Sequence, residues 1–245
     1  MDSSSVFKSW ERKDIVEPIF IARLDGWCFR TFTNGLAKPF DERLWSSLQE
    51  TATRFFPVFK PAFAYMHSDE VSFVFTKAPL FNRVEKLDSL MAGFYSSTFT
   101  SLYGEQASFD CRLINIAREN NVTAYMAWRQ ADCRRNFVSG WAERALLDSG
   151  LSPARVAKTL KGVPSSKKAL ICKKHFIDLD TLPGWQRNGA LLYYEAYTKN
   201  GYNPLTKETV KVTRRRVVRA PDVPSFRSKE GEKLVHLLID GAAVT

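Results

Sequence analysis

No stretch of this chain approaches the ~18 consecutive apolar residues that a membrane-spanning helix requires. The start, MDSSSVFKSWERKD, has no apolar segment behind a basic one, so no secretory signal is expected. Cysteine is scarce. The four that occur, Cys28, Cys111, Cys133 and Cys172, include no pair at CxxC spacing, and His67, His175 and His236 are scattered. Neither a zinc site nor a disulfide framework is expected from that pattern. Four reduced thiols in a cytoplasmic protein are expected instead. With 12 glycines and 11 prolines there is no collagen-like excess, and there is no internal repeat or low-complexity tract. Hydrophobic residues at 44% and charged residues at 25% exclude a disordered chain, and 245 residues allow one large domain or two small ones.

Acidic residues are also scarce, but only in one half. Residues 1–151 carry 18 Lys+Arg against 18 Asp+Glu, whereas residues 152–245 carry 18 against 8. The whole net charge of +10 therefore sits in the last 94 residues. A neutral part joined to a cationic part suggests a polyanion partner. No basic amphipathic helix with an apolar Trp/Phe/Leu face stands out for a membrane surface, so nucleic acid is the expected polyanion.

The first half alternates between periods of two and 3.6. Residues 18–24 are short, apolar and rich in β-formers, and predict a strand. Asp41 precedes Leu44, Trp45, Leu48, Ala52 and Phe55, a helical spacing with an N-cap. Residues 62–66 and 71–75 predict two strands joined by the tight connection His67-Ser68-Asp69-Glu70. Residues 81–102 have long amphipathic helical spacing, and residues 109–116 predict another strand. The order βαββαβ predicts an α+β, ferredoxin-like core. In that arrangement strands one and three pair at the centre, which brings Asp25 beside Asp69.

The second half has a helical pattern over residues 122–147 and a Ser152-Pro153 helix start ended by Gly162. Residues 165–175 suggest a short basic helix. Residues 191–197 and 208–218 alternate like a hairpin, with Lys199-Asn200-Gly201 and Asn203-Pro204 in its turn. From Pro221 onward the tail is polar and expected to be loosely held, except over residues 234–239. The expected division is a catalytic core over 1–119 and a helical, hairpin-bearing basic region over 120–245, packed as one unit.

Candidate chemistry centres on Arg23-Leu24-Asp25-Gly26 and Ser68-Asp69-Glu70. A carboxylate leaving a strand, followed by glycine and a loop, suits Mg²⁺ held by side-chain and backbone oxygens. Loop amides after Gly26 suit a triphosphate. A second carboxylate from a neighbouring hairpin would complete a two-metal site for phosphoryl transfer. Either aspartate alone is more readily a turn initiator, and it is their joint placement on adjacent strand ends that points to a metal. Lys38 suits phosphate as a point charge, and Asp41 is first a helix cap. Arg83 and Lys86, three apart on one helix face, could meet phosphate, but position alone favours a solvated surface.

The blocks RLDGWCFRTF, KPFDERL, YMHSDEVSFVF and AWRQADCRRN resemble the histidine-tRNA guanylyltransferase family and its Thg1-like relatives, over residues 20–190 at least. The resemblance implies a polymerase-palm-type catalytic core, two Mg²⁺ ions, and nucleotide addition in the 3′→5′ direction to the 5′ end of tRNA. It implies metal positions at Asp25, the backbone of Gly26 and Asp69, with Glu70 counted among the catalytic carboxylates. It implies a nucleotide cradle from Asp25, Gly26, Trp27, Cys28, Phe29, Arg30, Ser68 and Asp69, with Lys38 and Asp41. Arg23, Arg83 and Lys86 match positions holding a second triphosphate or the activated 5′ end. Arg129, Gln130 and Asp132 match the tRNA-associated block, beside Arg134 and Arg135. Arg214, Arg215 and Arg216 on the expected hairpin are further tRNA candidates. Expected partners are tRNA, GTP, ATP and other nucleoside triphosphates, with no membrane, and the family implies a tetramer.

Three departures matter. Family guanylyltransferases usually follow WRQADC with His-Ile-Asn-Asn, and Arg134-Arg135-Asn136-Phe137 stands here. DGWCFR replaces the usual DGRGFH or DGRNFH, and KPFD replaces KPND. The first departure places the chain with the Thg1-like branch, associated with template-directed repair of truncated tRNA 5′ ends. The alternative is a histidine-tRNA-specific enzyme adding G at position −1. A non-catalytic RNA-binding module is the rival of another class, although the RNP1 pattern of such sheets is absent. A nucleotide cyclase shares the palm, but there is no GGDEF block and no reason for its basic half.

Overall fold

The computed structural model describes residues 14–79, 81–116 and 118–243. The stretch bearing on a secretory signal lies outside them, save Asp14. Six strands and eight helices are placed among the described residues. The first half contributes β1 (Phe20–Gly26), α1 (Phe29–Phe32), α2 (Glu42–Phe59), β2 (Phe63–His67), β3 (Glu70–Phe75), α3 (Val84–Tyr103) and β4 (Phe109–Asn115). The second contributes α4 (Asn120–Asp148), α5 (Pro153–Leu160), α6 (Ser165–Lys174), α7 (Gly184–Asn188), β5 (Ala190–Asn203), β6 (Glu208–Ala220) and α8 (Lys229–Ala243). All strands join one antiparallel sheet in the order β4-β1-β3-β2-β5-β6.

The sheet is covered on both faces, which explains why its central strands carry long apolar runs. Phe20, Ala22 and Leu24 of β1 join a cluster with Trp45, Phe55 and Phe56 of α2 and Met91, Tyr95 and Phe99 of α3. Ile21 points to the other face, where Phe63, Tyr65 and Val74 meet Val122 and Met126 of α4 and Val235 and Ile239 of α8. Aromatic rings do much of the filling: Phe55 stacks on Phe73 at 3.9 Å between centroids, and Phe20 on Phe75 at 4.7 Å. Asp41 caps α2 by accepting from Leu44 N at 2.8 Å, a bond worth about 1 kcal/mol. Ser152 precedes α5 without a side-chain cap bond, leaving Pro153 as its start signal.

Two expectations are corrected. The hairpin turn falls later than expected, after Asn203 and before Glu208, and residues 199–203 are paired strand. Gly201 pairs with Val210, and a Cβ there would come within 2.4 Å of Val212 Cγ2. The glycine makes room for a cross-strand side chain and makes no turn. The tail is held, too. Val223 and Phe226 are buried, and Phe226 N donates to Gln130 Oε1 at 2.9 Å ahead of α8. Single anchors of that kind carry no periodicity and cannot be seen in a polar segment.

Candidate active site

Asp25 stands one residue before the end of β1. Its Cα neighbour on β4 is Asp110, and Leu24 beside it pairs with Val71 of β3. His67 pairs with Glu70, so Ser68 and Asp69 form the two-residue turn at the same end of the sheet. Burial raises the pKa of Asp25 above the ordinary carboxylate value, the charges of Asp69, Glu70 and Asp110 raise it further, and Arg23 opposes them. Burial likewise raises Asp69, whose Oδ1 accepts from Ser68 Oγ at 2.8 Å. Two carboxylates that burial and neighbouring carboxylates push toward neutrality are short of positive charge, and a hard divalent cation supplies it. Among the described residues no three His, Cys, Asp or Glu side chains converge as a metal cluster. The groups at this end of the sheet that could hold an ion are Asp25, Asp69 and backbone oxygen such as that of Gly26.

After Gly26 the chain turns tightly. Trp27 N donates to Ser108 O at 2.8 Å, and Cys28 takes a left-handed conformation (φ 57°) to start α1. A Cβ on Gly26 would lie 2.1 Å from the Phe29 ring, so glycine is required for that ring to pack on Phe99 and Phe109. Trp27 and Cys28 are exposed. Beside this loop opens a cleft of about 270 Å³, lined in part by Arg30, Lys38, Asp41, Ser68, Asp69 and Trp185. Lys38 Nζ donates to Thr33 Oγ1 at 2.9 Å. Both Asp41 oxygens serve the backbone, one capping Leu44 N and one accepting from Ala37 N at 3.3 Å. The cleft also has an aromatic wall absent from the expected set. Trp45 stacks on Trp185 at 4.7 Å, and Phe40 meets Trp185 edge-on at 5.7 Å. Trp185 comes from α7 in the other half of the chain, and nothing in its local sequence marks it.

Several expected site residues lie elsewhere. Glu70 is no free acid. Its Oε1 and Oε2 accept from Arg129 Nε and Nη2 at 2.6 and 2.5 Å, and His67 Nε2 lies 3.3 Å from Oε1. Burial lifts its carboxyl, but His67 and Arg129 outweigh burial and hold it below the ordinary value. Arg129 and Gln130, expected at the tRNA, are buried at 6% and 4% exposure. Gln130 bonds the backbone at Pro224 and Phe226, so it fastens the tail. Asp132 accepts from Arg129 and Arg135, and Arg134 holds Asn188 Oδ1 at 2.9 Å. These residues follow α4's periodicity, which turns one face of the WRQADC block into the interior. Arg23 lies with its guanidinium 5.8 Å from the Trp128 ring, near Asp25. Arg83 and Lys86 do not line the cleft. Arg83 bridges Ile15, ahead of β1, because a helix following β3 must begin where β3 ends, away from Asp69. Lys86 Nζ sits over the Phe81 ring at 4.2 Å.

On the hairpin, Arg214 pairs with Tyr197 and Arg216 with Glu195, whose carboxylate it also bonds at 2.6 Å. Arg215 pairs with Ala196 and so points to the opposite face, the face on which Arg219 bonds Glu50 and Thr53 of α2.

A family model described as tRNAHis guanylyltransferase matches residues 4–117, and one described as Thg1 C terminal domain matches residues 120–229. A Neurospora crassa tRNA(His) guanylyltransferase is 31% identical over 255 aligned positions, covering 93% of this chain and 84% of that protein. The chain belongs to the tRNA(His) guanylyltransferase family. Other members of the family include a probable tRNA(His) guanylyltransferase of Drosophila melanogaster, 30% identical over 76% of this chain and 71% of its own length. Another is tRNA(His) guanylyltransferase 1 of Arabidopsis thaliana, of which the chain spans 40%. The fold of the family recurs in a bacterial Thg1-like protein solved in complex with ATP (TM-score 0.76, 22% identity, 98% of this chain and 99% of that one). It recurs also in the Saccharomyces cerevisiae enzyme (TM-score 0.69, 24% identity, 76% of this chain and 90% of that one). Among the described residues no helix is long and apolar enough to cross a membrane.

Proposed function

We propose that the chain is a nucleotidyltransferase that adds nucleotides to the 5′ end of truncated tRNA in the 3′→5′ direction, directed by the template strand. The observation carrying this reading is the pair Asp25 and Asp69, lifted toward neutrality at one end of the sheet, with Asp69 lining a cleft that also presents Arg30, Lys38 and Ser68. Strands β1–β4 with α2 and α3 are read as a ferredoxin-like, palm-type core. The parts 1–119 and 120–245 are read as two functional regions sharing one sheet, since β5 pairs with β2.

Two Mg²⁺ ions would be held by Asp25, Asp69 and the Gly26 carbonyl, and would supply activation of the incoming 3′-hydroxyl and neutralisation of the triphosphate. The chain's own residues do the rest. Backbone amides of residues 28–30, with Arg30, Lys38 and Ser68, bind the triphosphate of GTP, ATP or another nucleotide. Trp45, Trp185 and Phe40 offer apolar walls for its base. Arg23 neutralises charge on the leaving pyrophosphate. The tRNA backbone lies against the basic half, where phosphate contacts position without reading sequence. The four free thiols suit a reducing, cytoplasmic location. A tetramer remains the expectation for the assembly.

Arg135 favours template direction over histidine-tRNA specificity. It is exposed where the specific branch carries His-Ile-Asn-Asn, and although Asp132 accepts one bond from it, the guanidinium suits a generic phosphate contact. The test is a set of 5′-truncated tRNAs of several identities, each with a known templating base, supplied with all four nucleotides. The expected product is the Watson–Crick complement in each case, with addition slowing once the acceptor stem is complete. Equal rates of G addition opposite A and opposite C would return the protein to the histidine-specific reading. No Mg²⁺-dependent incorporation at all would leave an RNA-binding module.

A further inference from the structure

Glu70 and Arg129 are buried against each other beside the turn that carries Asp69. We infer that Arg129 is a positioning residue for that turn: by gripping Glu70 with both prongs of its guanidinium, it fixes the backbone on which Asp69 stands. The inference rests on the reading of Asp25 and Asp69 as cation ligands.

The turn has little of its own to hold it. Ser68 sits at φ 51°, a left-handed conformation that non-glycine residues adopt at a cost. Among the described residues its hydroxyl bonds Asp69 and nothing outside the turn. The restraint comes from the two flanking residues, His67 and Glu70, and Arg129 touches both. The fork meets both Glu70 oxygens, and Nη2 lies 3.4 Å from His67 Nε2 on the other strand. Two parallel bonds from a planar group set an angle as well as a distance. A lysine could set only a distance.

Arg129 is itself fixed. Its guanidinium lies 4.4 Å from the Trp128 ring centroid, and Asp132 accepts a further bond at 3.0 Å. It stands on α4, whose Val122 and Met126 are buried against the sheet. The clamp thus runs from a packed helix to the two residues that bracket Asp69. Stability alone does not account for it. A buried ion pair is often no better than apolar residues of the same volume at joining a helix to a strand. What apolar residues cannot do is hold one carboxylate at a set angle next to another.

The experiment uses the full chain and Mn²⁺ alone as probe, with free ion counted by electron paramagnetic resonance. The variants are Arg129→Lys, Glu70→Gln and Glu70→Gln/Arg129→Gln, with Asp69→Ala as reference and thermal unfolding as the check on folding. Arg129→Lys is expected to weaken Mn²⁺ binding by about tenfold or more, the scale of losses behind a metal ligand. Its affinity for tRNA, and the salt dependence of that affinity, should stay unchanged. Glu70→Gln should lose a similar factor, and the double variant no more than either single change, because the two side chains act as one unit. Glu70→Gln keeps the side chain's length, so it carries the test if Arg129→Lys does not fold. Normal Mn²⁺ binding with weakened tRNA binding in Arg129→Lys overturns the inference and makes Arg129 an RNA contact. Loss of Mn²⁺ in Glu70→Gln but not in Arg129→Lys also overturns it, with Glu70 acting alone. If Asp69→Ala keeps its Mn²⁺, the reading of the site fails instead, whatever Arg129 does.

Discussion

Alternation along β6 divides its three consecutive arginines between two faces of the hairpin, and that division can be measured. Arg214 and Arg216 share a face with Tyr197 and Glu195, and this is the sheet face that carries Arg23 and Asp25. Arg215 faces α2. RNA lying along that face would meet Arg214 and Arg216 and not Arg215. Arg216 is already neutralised by Glu195 and lies 5.7 Å from the Tyr197 ring, whereas Arg214 makes no ion pair among the described residues. Each phosphate contact contributes about 0.9 to the slope of log affinity against log salt. Losing one contact should change the ratio of affinities between about 50 and about 200 mM salt by about 3.5-fold. Arg214→Ala is expected to produce that change, Arg216→Ala a smaller one, and Arg215→Ala none. The assay is tRNA binding by fluorescence anisotropy at four salt concentrations for the three single variants. Flattening by Arg215→Ala equal to that by Arg214→Ala would refute the face assignment. Unchanged slopes in all three would mean that the hairpin does not touch RNA.

Asp25→Ala and Asp69→Ala should each abolish nucleotide addition while leaving the unfolding temperature near or above that of the unaltered protein, since each removes a carboxylate that burial already strains; near-normal turnover in Mg²⁺ would end the two-metal reading. Phe55→Ala removes a fully buried ring stacked on Phe59 and Phe73, and should cost about 3–5 kcal/mol in denaturant unfolding; a loss below about 1 kcal/mol would mean the core is not packed as described. Hydrogen bonds from Arg54 and Arg219 hold Glu50 below its ordinary pKa of 4.5. Its folded-state pKa is depressed, so its contribution is present above 4.5 and lost as pH falls through the folded value. With its side chain about a third exposed it contributes at most about 1 kcal/mol, so Glu50→Gln should lower the unfolding temperature slightly at pH 7 and progressively less as the pH falls below 4.5; a deficit that does not shrink would exclude the electrostatic cause.

What could be read beforehand was whatever the chain states locally. The apolar pulse over residues 18–24, the Asp41 cap and the two short strands around Ser68-Asp69 are local signals, and each element formed within a few residues of its expected place. The approach of Asp25 to Asp69 followed because antiparallel pairing of the first and third strands leaves no other place for the two ends. What could not be read was set by partners distant in sequence. Trp185 reaches the cleft because α7 packs beside α4, and Gln130 turns inward because the tail passes over it. Arg129 was matched to RNA by the family resemblance of its block alone, and only the fold reveals the carboxylate waiting for it. Gly201 carried a turn signal that cross-strand Val212 overrode.

The length of β5 has a mechanical consequence. β2 pairs only with its first four residues, Ala190–Tyr193, and residues 194–203 continue for about 33 Å bonded to β6 alone. A two-stranded ribbon clamped at one end is stiff at its root and compliant at its tip. Contacts made near Glu195 and Arg216 must therefore find their target where the sheet puts them. Contacts made near Tyr202 and Leu205, which are exposed, can follow a target displaced by several ångströms at small elastic cost. One arm can in this way hold a bound partner firmly at its root while tolerating variation in its shape farther out.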